Sequence, residues 1–250
     1  MKILLTNDDG IEGAGLWAMA HALSKKFEIV ISAPMTQQSG MAHALTFGRS
    51  VEFKKIDAEF ETWAIDGTPT DCVKIYMEAI NREKNIGAVI SGINDGANLA
   101  TDVLYSGTVG AALEGFLHDI PALAISRDVH SEIPFSDVAE VAAKFFAEKF
   151  SDEKNFFYNL NFPKKYRDGK PELKNSRLGR RDYINAFKKH TDETGRTFYK
   201  IGGEIIDLDE SEGTDIFAVR SGFVAVTPLD FDVTNHGLLQ EVRTDKKTPE

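Results

Sequence analysis

Two adjacent carboxylates near the start of the chain, Asp8 and Asp9, are the side chains with the clearest chemical potential. They follow an apolar run at residues 3–6 and precede a glycine. Neighbouring carboxylates repel each other, so keeping both ionised is costly unless a cation or hydrogen-bond donors lie beside them. Such oxygen ligands suit Mg²⁺, Mn²⁺ or Ca²⁺ rather than zinc, which prefers His and Cys. These residues alone leave two interpretations open, a divalent metal site or an ordinary Asx-turn with one aspartate solvated.

Three further polar clusters follow predicted strands or precede a predicted helix. Ser39 lies in a small-residue-rich loop after a strand at residues 27–32, and Asn94 and Asn98 lie in a glycine-containing segment after a strand at residues 87–91. Ser106, Gly107 and Thr108 precede a helical pattern at residues 109–117, and Ser106 or Thr108 is expected to cap that helix. A helix N-terminus with glycine and hydroxyls can bind phosphate, although most such sequences only cap helices.

The elements expected to position these residues form an α/β pattern. The strand at 3–6, a helical face at 16–23 and the strand at 27–32 make a βαβ unit. Unalternating apolar strands are typical of a parallel sheet covered on both faces, in which binding sites form at the carboxyl ends of the strands. Other expected elements are a side hairpin from residues 51–55 and 60–65, a helix over 73–80 capped by Thr70 or Asp71, strands at 121–125, 156–162 and 222–228, and a helix over 138–150.

The composition narrows the class of protein. At 250 residues and 27.7 kDa the chain can form one large α/β domain. No apolar run approaches the roughly 20 residues needed to span a bilayer, and the first residues lack a signal-peptide pattern, so a cytoplasmic location without a membrane partner is expected. The formal net charge of −10 argues against general nucleic-acid binding, and the single Cys72 is interpreted as a buried structural thiol.

Residues 164–210 differ from the rest because they are charged and rich in turns, with β-leaning pieces near 181–187 and 197–201. This segment is predicted to form a protruding β-hairpin arm, either a dimer contact through its aromatic side chains or a solvated hairpin. Residues 207–215 are interpreted as an acidic linker, and the run after Thr234 as a loose tail. The expected organisation is one domain over 1–250, with a core at about 1–163, a late strand within about 215–230, and the arm.

Several of these motifs together resemble the SurE (survival protein E) family of metal-dependent 5'/3'-nucleotidases. The matching stretches are Leu-Thr-Asn-Asp-Asp-Gly at 5–10, Gln-Ser-Gly at 38–40, Gly-Thr-Pro-Thr-Asp-Cys-Val at 67–73, Ser-Gly-Ile-Asn-Asp-Gly-Ala-Asn at 91–98, and Asp-Val-Leu-Tyr-Ser-Gly-Thr at 102–108. One departure is Ala42-His43-Ala44, where small hydroxyl residues are common in the family. His43 is either a residue that alters base or phosphate contacts or a surface histidine.

The resemblance implies a Rossmann-like, mostly parallel sheet flanked by helices. It implies one divalent metal ion per subunit, Mg²⁺ or Mn²⁺, bound by Asp8, Asp9, Ser39 and Asn94, with Asn98, Ser106, Gly107 and Thr108 facing the substrate phosphate. It also implies a homodimer or homotetramer in which the C-terminal arm contacts a neighbour. The expected substrates are nucleoside 5'-monophosphates, and the resemblance leaves open whether 3'-monophosphates and polyphosphate are hydrolysed as well.

The expected reaction is hydrolysis of a nucleoside monophosphate to nucleoside and phosphate, with Asp8 and Asp9 as the catalytic pair. Either a metal-activated water attacks while Asp8 or Asp9 accepts its proton, or one of the two forms an aspartyl-phosphate. The alternative is a receiver-type signalling module, which also has an acidic pair after its first strand and binds Mg²⁺. Such a module needs a lysine after its fifth strand, whereas Ser126 and Arg127 follow the strand at 121–125. A dinucleotide-binding oxidoreductase is disfavoured because no G-x-G-x-x-G follows the first strand.

Overall fold

A nine-stranded sheet forms the centre of the protein in the computed structural model, which describes residues 1–83, 85–152 and 155–239. The strands are β1 (Lys2–Thr6), β2 (Glu28–Pro34), β3 (Phe53–Ile56), β4 (Glu61–Ile65), β5 (Ile86–Asp95), β6 (Ala122–Arg127), β7 (Phe157–Phe162), β8 (Leu173–Asn175), β9 (Arg180–Ile184), β10 (Phe187–Thr191), β11 (Thr197–Ile201), β12 (Glu204–Asp209) and β13 (Val224–Pro228). The helices are α1 (Ala14–Ser24), α2 (Pro69–Ile75), α3 (Gly107–Phe116), α4 (Phe135–Asp152) and α5 (Asp215–Arg220). A π-turn (Tyr76–Ile80) extends α2, and a 3-10 turn (Ala100–Leu104) precedes α3.

The strand order in the central sheet is β3-β4-β2-β1-β5-β6-β7-β13-β8. Strands β4, β2, β1, β5, β6 and β7 pair in parallel, whereas β3 and β13 run antiparallel to their neighbours β4 and β7. Leu5 of β1 lies opposite Ile31 of β2 on one side and Ile90 of β5 on the other. The carboxyl ends of β2, β1 and β5 therefore lie side by side at one edge of the sheet.

Helices cover both faces of the sheet, which confirms the predicted fold class. On one face α1 packs against α4, and on the other α2 packs against α3. Ile3 and Leu5 belong to the core on the α1 and α4 face, and Leu4 between them belongs to the core that includes Val73 of α2. Because both faces are buried, β1 needs apolar side chains at every position and shows no polar alternation.

Of two local predictions on the β3–α2 segment, the structure confirms the hairpin and corrects the helix cap. β3 and β4 form the predicted antiparallel hairpin, which lies at the edge of the main sheet because β4 also pairs in parallel with β2. The cap of α2 is Thr68 rather than Thr70 or Asp71. Its hydroxyl accepts the Asp71 N–H while the Asp71 carboxylate accepts the Thr68 N–H, a capping box in which Pro69 is the first residue of the helix.

The predicted arm is a two-stranded antiparallel ribbon made by β9 with β12 and by β10 with β11. Its outer half follows a break at Asn185, whose φ is 51°. β8 pairs in parallel with β13, so this part of the 164–210 segment belongs to the main sheet. The stretch predicted as an acidic linker contains the end of β12 and the first residue of α5. Most of the tail after Thr234 lies outside the described residues.

No described helix is both long and apolar enough to cross a bilayer.

Candidate active site

Asp8 lies directly beyond β1 and is buried against the start of α3. Its Oδ1 accepts a hydrogen bond of 2.6 Å from the Thr108 hydroxyl, and its carboxylate also accepts the Thr108 backbone N–H. Burial raises the pKa of Asp8 to about 6, the Thr108 hydrogen bond opposes this rise, and the charge of Asp9 adds to it. The N-terminus of α3 therefore favours the ionised form of a carboxylate whose burial favours the protonated form.

Asp9 is only half-buried and faces the end of β5. Burial raises its pKa, the backbone N–H of Asp95 lowers it by hydrogen bonding, and the Asp95 charge raises it further. Asp95 itself receives a 2.8 Å hydrogen bond from Arg127 Nε. Sequence reasoning did not assign a role to Asp95, although its position next to Asn94 was a signal that it would lie at the same strand end.

Ser39 lies in the loop that follows β2, and Asn94 lies near the end of β5, so the two residues belong to the strands on either side of β1. The Ser39 loop is held to Asp8 by a 2.7 Å hydrogen bond from the Gln38 N–H to the Asp8 carbonyl, and the Ser39 side chain is exposed. A bulge precedes Asn94, because the register of β5 against β6 shifts between Ser91 and Asn94. Such bulges turn a side chain away from the direction that regular pleating would give it. The Asn94 amide nitrogen donates to the Gly96 carbonyl at 2.6 Å, which leaves its Oδ1 as the atom available for a metal.

These residues fit a divalent cation. Neither Asp8 nor Asp9 forms an ion pair with Lys, Arg or His within residues 1–83, 85–152 and 155–239. The buried Oδ1 of Asn7, adjacent to Asp8, also has no hydrogen-bond partner among those residues. Two carboxylates, an amide oxygen and a hydroxyl are hard oxygen donors of the kind that Mg²⁺ and Mn²⁺ prefer. The structure thus brings the four predicted metal ligands to one edge of the sheet.

A second acidic group lies elsewhere, on the α2 and α3 face. Glu78, Glu114 and His118 have possible ligand atoms within 4.8 Å of one another. Lys74 Nζ is 2.9 Å from a carboxylate oxygen of both Glu78 and Glu114. Because the Lys74 ammonium already neutralises both carboxylates, this group is an ion-pair network, and the site at Asp8 and Asp9 is the better candidate for a metal ion.

Asn98 is held by two buried asparagines of β7 that sequence reasoning missed. Its N–H donates to Asn161 Oδ1 at 2.8 Å, and its carbonyl accepts from Asn159 Nδ2 at 2.9 Å. Its own side-chain nitrogen donates to Ser126 Oγ at 2.8 Å. The signal for this support was present in the chain, because two asparagines at alternate positions of a strand with apolar neighbours predict a buried hydrogen-bonding role.

The start of α3 contains the three remaining predicted residues. Ser106 is the cap, since its hydroxyl accepts the Val109 N–H at 3.1 Å. Gly107 lies against Asp8, because a Cβ added to it would be 3.1 Å from the Asp8 Cβ. Thr108 is fully buried and its hydroxyl is used by Asp8. The structure therefore places Gly107 and Thr108 against Asp8, and Ser106 precedes them as the helix cap.

Comparisons with known proteins agree over almost the whole chain. A family model described as survival protein SurE matches residues 3–185. A protein of Thermoanaerobacter sp. (strain X514) named 5'-nucleotidase SurE is 39% identical over 244 residues, 96% of each chain. A relative of the same name from Heliobacterium modesticaldum is 41% identical over 248 residues, 97% of this chain and 90% of its own. The crystal structure of the SurE protein from Aquifex aeolicus superposes with a TM-score of 0.82 at 37% identity, covering 97% of this chain and 98% of that one.

Proposed function

The chain belongs to the SurE family, and on that premise we propose that it is a metal-dependent 5'-nucleotidase that hydrolyses nucleoside 5'-monophosphates to nucleoside and inorganic phosphate. The relatives' name supports the nucleotidase activity. The observation that carries the proposal is the meeting of Asp8, Asp9 and Asn94 at adjacent strand ends beside the start of α3, with no basic partner for either aspartate among the residues described. Oxygen donors without a protein cation, next to a helix N-terminus, suit a metal and a phosphate together.

Asp8, Asp9, Ser39 and Asn94 would hold one Mg²⁺ or Mn²⁺ ion. When bound, the ion supplies positive charge for the phosphate oxygens and lowers the pKa of a water molecule. Two hydrogen bonds from Thr108 favour the ionised form of Asp8 and hold its carboxylate in place. Asp9 is more accessible than Asp8 and is the better acceptor for the proton of an attacking water.

The phosphate would lie between Asn98 and the start of α3. The Asn98 amide uses one N–H for Ser126 and has a second that can bind a phosphate oxygen. The Ser106 hydroxyl accepts from Val109 and can still donate its own proton. Gly107 has no side chain to separate the phosphate from Asp8. Each donor aimed at charge that develops in the transition state is worth roughly 3 kcal/mol.

A receiver-type signalling role is the second candidate. It would use the same acidic pair to bind Mg²⁺ and would be phosphorylated without releasing phosphate repeatedly. The structure gives it less support, because β6 ends at Ser126 and Arg127, where a receiver requires a lysine. The match of the chain to nucleotidases over nearly its full length favours hydrolysis.

The test is phosphate release from 5'- and 3'-mononucleotides and polyphosphate, with Mg²⁺, Mn²⁺ or EDTA. We expect release from 5'-monophosphates with either metal and none with EDTA. Asp9→Asn should lower kcat by at least about 100-fold, whereas Asp57→Asn, the same change in an exposed turn, should not. Undiminished release in EDTA would contradict metal dependence, and single phosphorylation without turnover would favour the signalling role. An aspartate-bound phosphate that is trapped during turnover and reduced by borohydride would indicate an aspartyl-phosphate intermediate.

We also propose that the protein forms a homodimer or homotetramer through the β9–β12 ribbon. The ribbon exposes a series of apolar side chains: Ile184, Phe187, Phe198, Tyr199, Ile201 and Ile205. Exposed apolar surface of this kind usually marks a protein contact. Sedimentation of the full chain tests this, and a monomer at micromolar concentration would contradict it.

We further propose that the protein is cytoplasmic, which fractionation of cells would test.

A further inference from the structure

The loop after β2, residues 35–52, contains Ser39 and has no regular secondary structure of its own. Its conformation depends on contacts with other elements, and Ser39 lies between two of them. Before it, the Gln38 N–H donates to the Asp8 carbonyl at 2.7 Å. After it, the Ala42 N–H donates to the Tyr105 carbonyl at 3.0 Å. Ala42 has a φ of 52°, a left-handed conformation that costs a non-glycine residue about 1 kcal/mol and persists only where neighbouring contacts impose it.

The loop lies directly on the backbone of α3 at Gly110. A Cβ added to Gly110 would be 2.3 Å from the Ala42 carbonyl oxygen and 2.9 Å from the His43 Cα. Only glycine permits this approach. One helical turn further along α3, Glu114 lies on the same face as Gly110. His43 reaches it, with its Nε2 at 2.8 Å from Glu114 Oε2.

Glu114 is a buried carboxylate with a separate partner for each oxygen. Lys74 donates to Oε1 at 2.9 Å, and His43 contacts Oε2. Burial opposes ionisation of Glu114, but the hydrogen bonds from His43 and Lys74 outweigh it and hold the pKa of Glu114 at about 2. An ionised carboxylate can only accept, so His43 Nε2 carries the proton and donates. Removing His43 would leave a buried charged oxygen without a donor, while Lys74 would keep the carboxylate ionised.

From this geometry we infer that His43 is a positioning residue, which holds the Ser39 loop on α3 by donating to Glu114 and thereby keeps Ser39 in place for the metal. The inference rests on the proposed function, because it assumes that Ser39 is a metal ligand. His43 is therefore neither a base contact nor a free surface histidine. It acts on the reaction through Ser39, because its ring is used by a carboxylate one helical turn beyond Gly110.

The experiment measures Mn²⁺ binding to the metal-free protein by the electron paramagnetic resonance of free Mn²⁺. We expect His43→Ala to raise the dissociation constant by about tenfold, the effect of losing one hydrogen bond to a charged group. His43→Gln should stay within about threefold of the native protein, because a glutamine amide can also donate to Glu114. The control is His21→Ala, which removes an exposed histidine 3.7 Å from a carboxylate, Glu59, outside the site. It should leave Mn²⁺ binding unchanged.

A second variant tests the loop without changing the hydrogen bond partners. Gly110→Ala pushes Ala42 away from α3, and we expect the same loss of Mn²⁺ affinity. In His43→Ala and Gly110→Ala, kcat at saturating Mn²⁺ should return to within about twofold of the native value. Excess metal shifts the equilibrium by mass action back to the native loop conformation, which binds the metal. The Ala42 amide should exchange its hydrogen faster in His43→Ala than in the native protein.

Three outcomes would overturn the inference. These are native Mn²⁺ affinity in His43→Ala, an equal loss in His43→Ala and His43→Gln, or a fall in kcat that saturating metal does not restore. A native protein that binds no Mn²⁺ and releases no phosphate would instead overturn the proposed function, so the two failures are distinguishable.

Discussion

The hydroxyl of Thr108 gives the sharpest quantitative prediction about the acidic pair. Thr108→Val removes the 2.6 Å hydrogen bond to Asp8 Oδ1 and keeps the shape of the side chain, while the backbone N–H of residue 108 still contacts the carboxylate. Thr108 is fully buried, so water cannot replace the lost donor. A hydrogen bond to a charged group is worth about 1.5–3 kcal/mol, which corresponds to about one to two pKa units. The pKa of Asp8, about 6 in the native protein, should rise accordingly.

Metal binding reports this shift, because a protonated Asp8 is a poor metal ligand. At pH 6 half of the native Asp8 is ionised, whereas a pKa raised by one to two units leaves about 1–10% ionised. The apparent Mn²⁺ affinity of Thr108→Val should therefore be about 5- to 50-fold weaker at pH 6 and nearly native at pH 9. Thr108→Ser keeps the hydroxyl and is the matched control. A loss of affinity that is the same at pH 6 and pH 9 would refute the reasoning, as would no loss at either pH.

The raised pKa of Asp8 should also affect the stability of the metal-free protein. Here the loss grows as the pH rises, whereas the loss of metal affinity grows as the pH falls. The pKa of Asp8 in the folded state, about 6, lies above its ordinary value of 3.8, so the folded protein holds this proton more tightly than the unfolded chain. Stability therefore falls as pH rises between these values, by about 3 kcal/mol from this one group. Thr108→Val should extend that loss to higher pH. Thermal unfolding should show a larger difference from the native protein at pH 8 than at pH 5.

Two further predictions concern buried charges that join the ribbon and α5 to the core. Arg181→Leu should lower the free energy of unfolding by about 3 kcal/mol, measured in urea, because it removes the guanidinium that lies 2.9 Å from Asp102 and 2.7 Å from Asp207, whose buried side chain keeps Arg220. An unchanged midpoint would contradict this. Asp215→Ala should cost about 3 kcal/mol or more, since the fully buried Asp215 accepts three backbone N–H groups, among them that of Ala100 at 2.7 Å. Asp215→Asn, which keeps one acceptor oxygen, should be less damaging, and equal losses in the two variants would argue against hydrogen bonding as the cause.

Local sequence patterns predicted the parallel core well. The apolar runs of β1 and β2 predict both strands without any information from the rest of the chain. The ends of these strands determine where Asp8, Asp9 and the Ser39 loop lie. The prediction that Ser106 or Thr108 caps α3 is also confirmed, because Ser106 is the cap. The cap of α2 was predicted wrongly, because the capping box of Thr68 and Asp71 depends on hydrogen bonds in both directions that residue preference alone does not rank.

Elements whose pairing partners are distant in the chain were the least predictable. β8 is three residues long and exists through its pairing with β13, about fifty residues later. The end of β12, residues 207–209, falls in the stretch that was interpreted as an acidic linker, yet Asp207 is paired with Arg181 of β9 and Arg220 of α5. β-structure of this kind depends on cross-strand contacts more than on intrinsic preference.

The sequence by itself determined the chemistry that the site can offer, namely two carboxylates, an asparagine and a serine after successive strands and a glycine-containing helix start. These follow from residue type and from patterns within a few residues, where backbone preference and burial act locally. Only the tertiary structure decided how each group is used. In the folded protein Thr108 donates a hydrogen bond to Asp8, and Asn94 follows a bulge in β5. Two asparagines of β7 hydrogen-bond to Asn98, and His43 hydrogen-bonds to Glu114. These pairs are separated by up to about a hundred residues in the chain, so their contacts arise only when the whole sheet and its helices pack together.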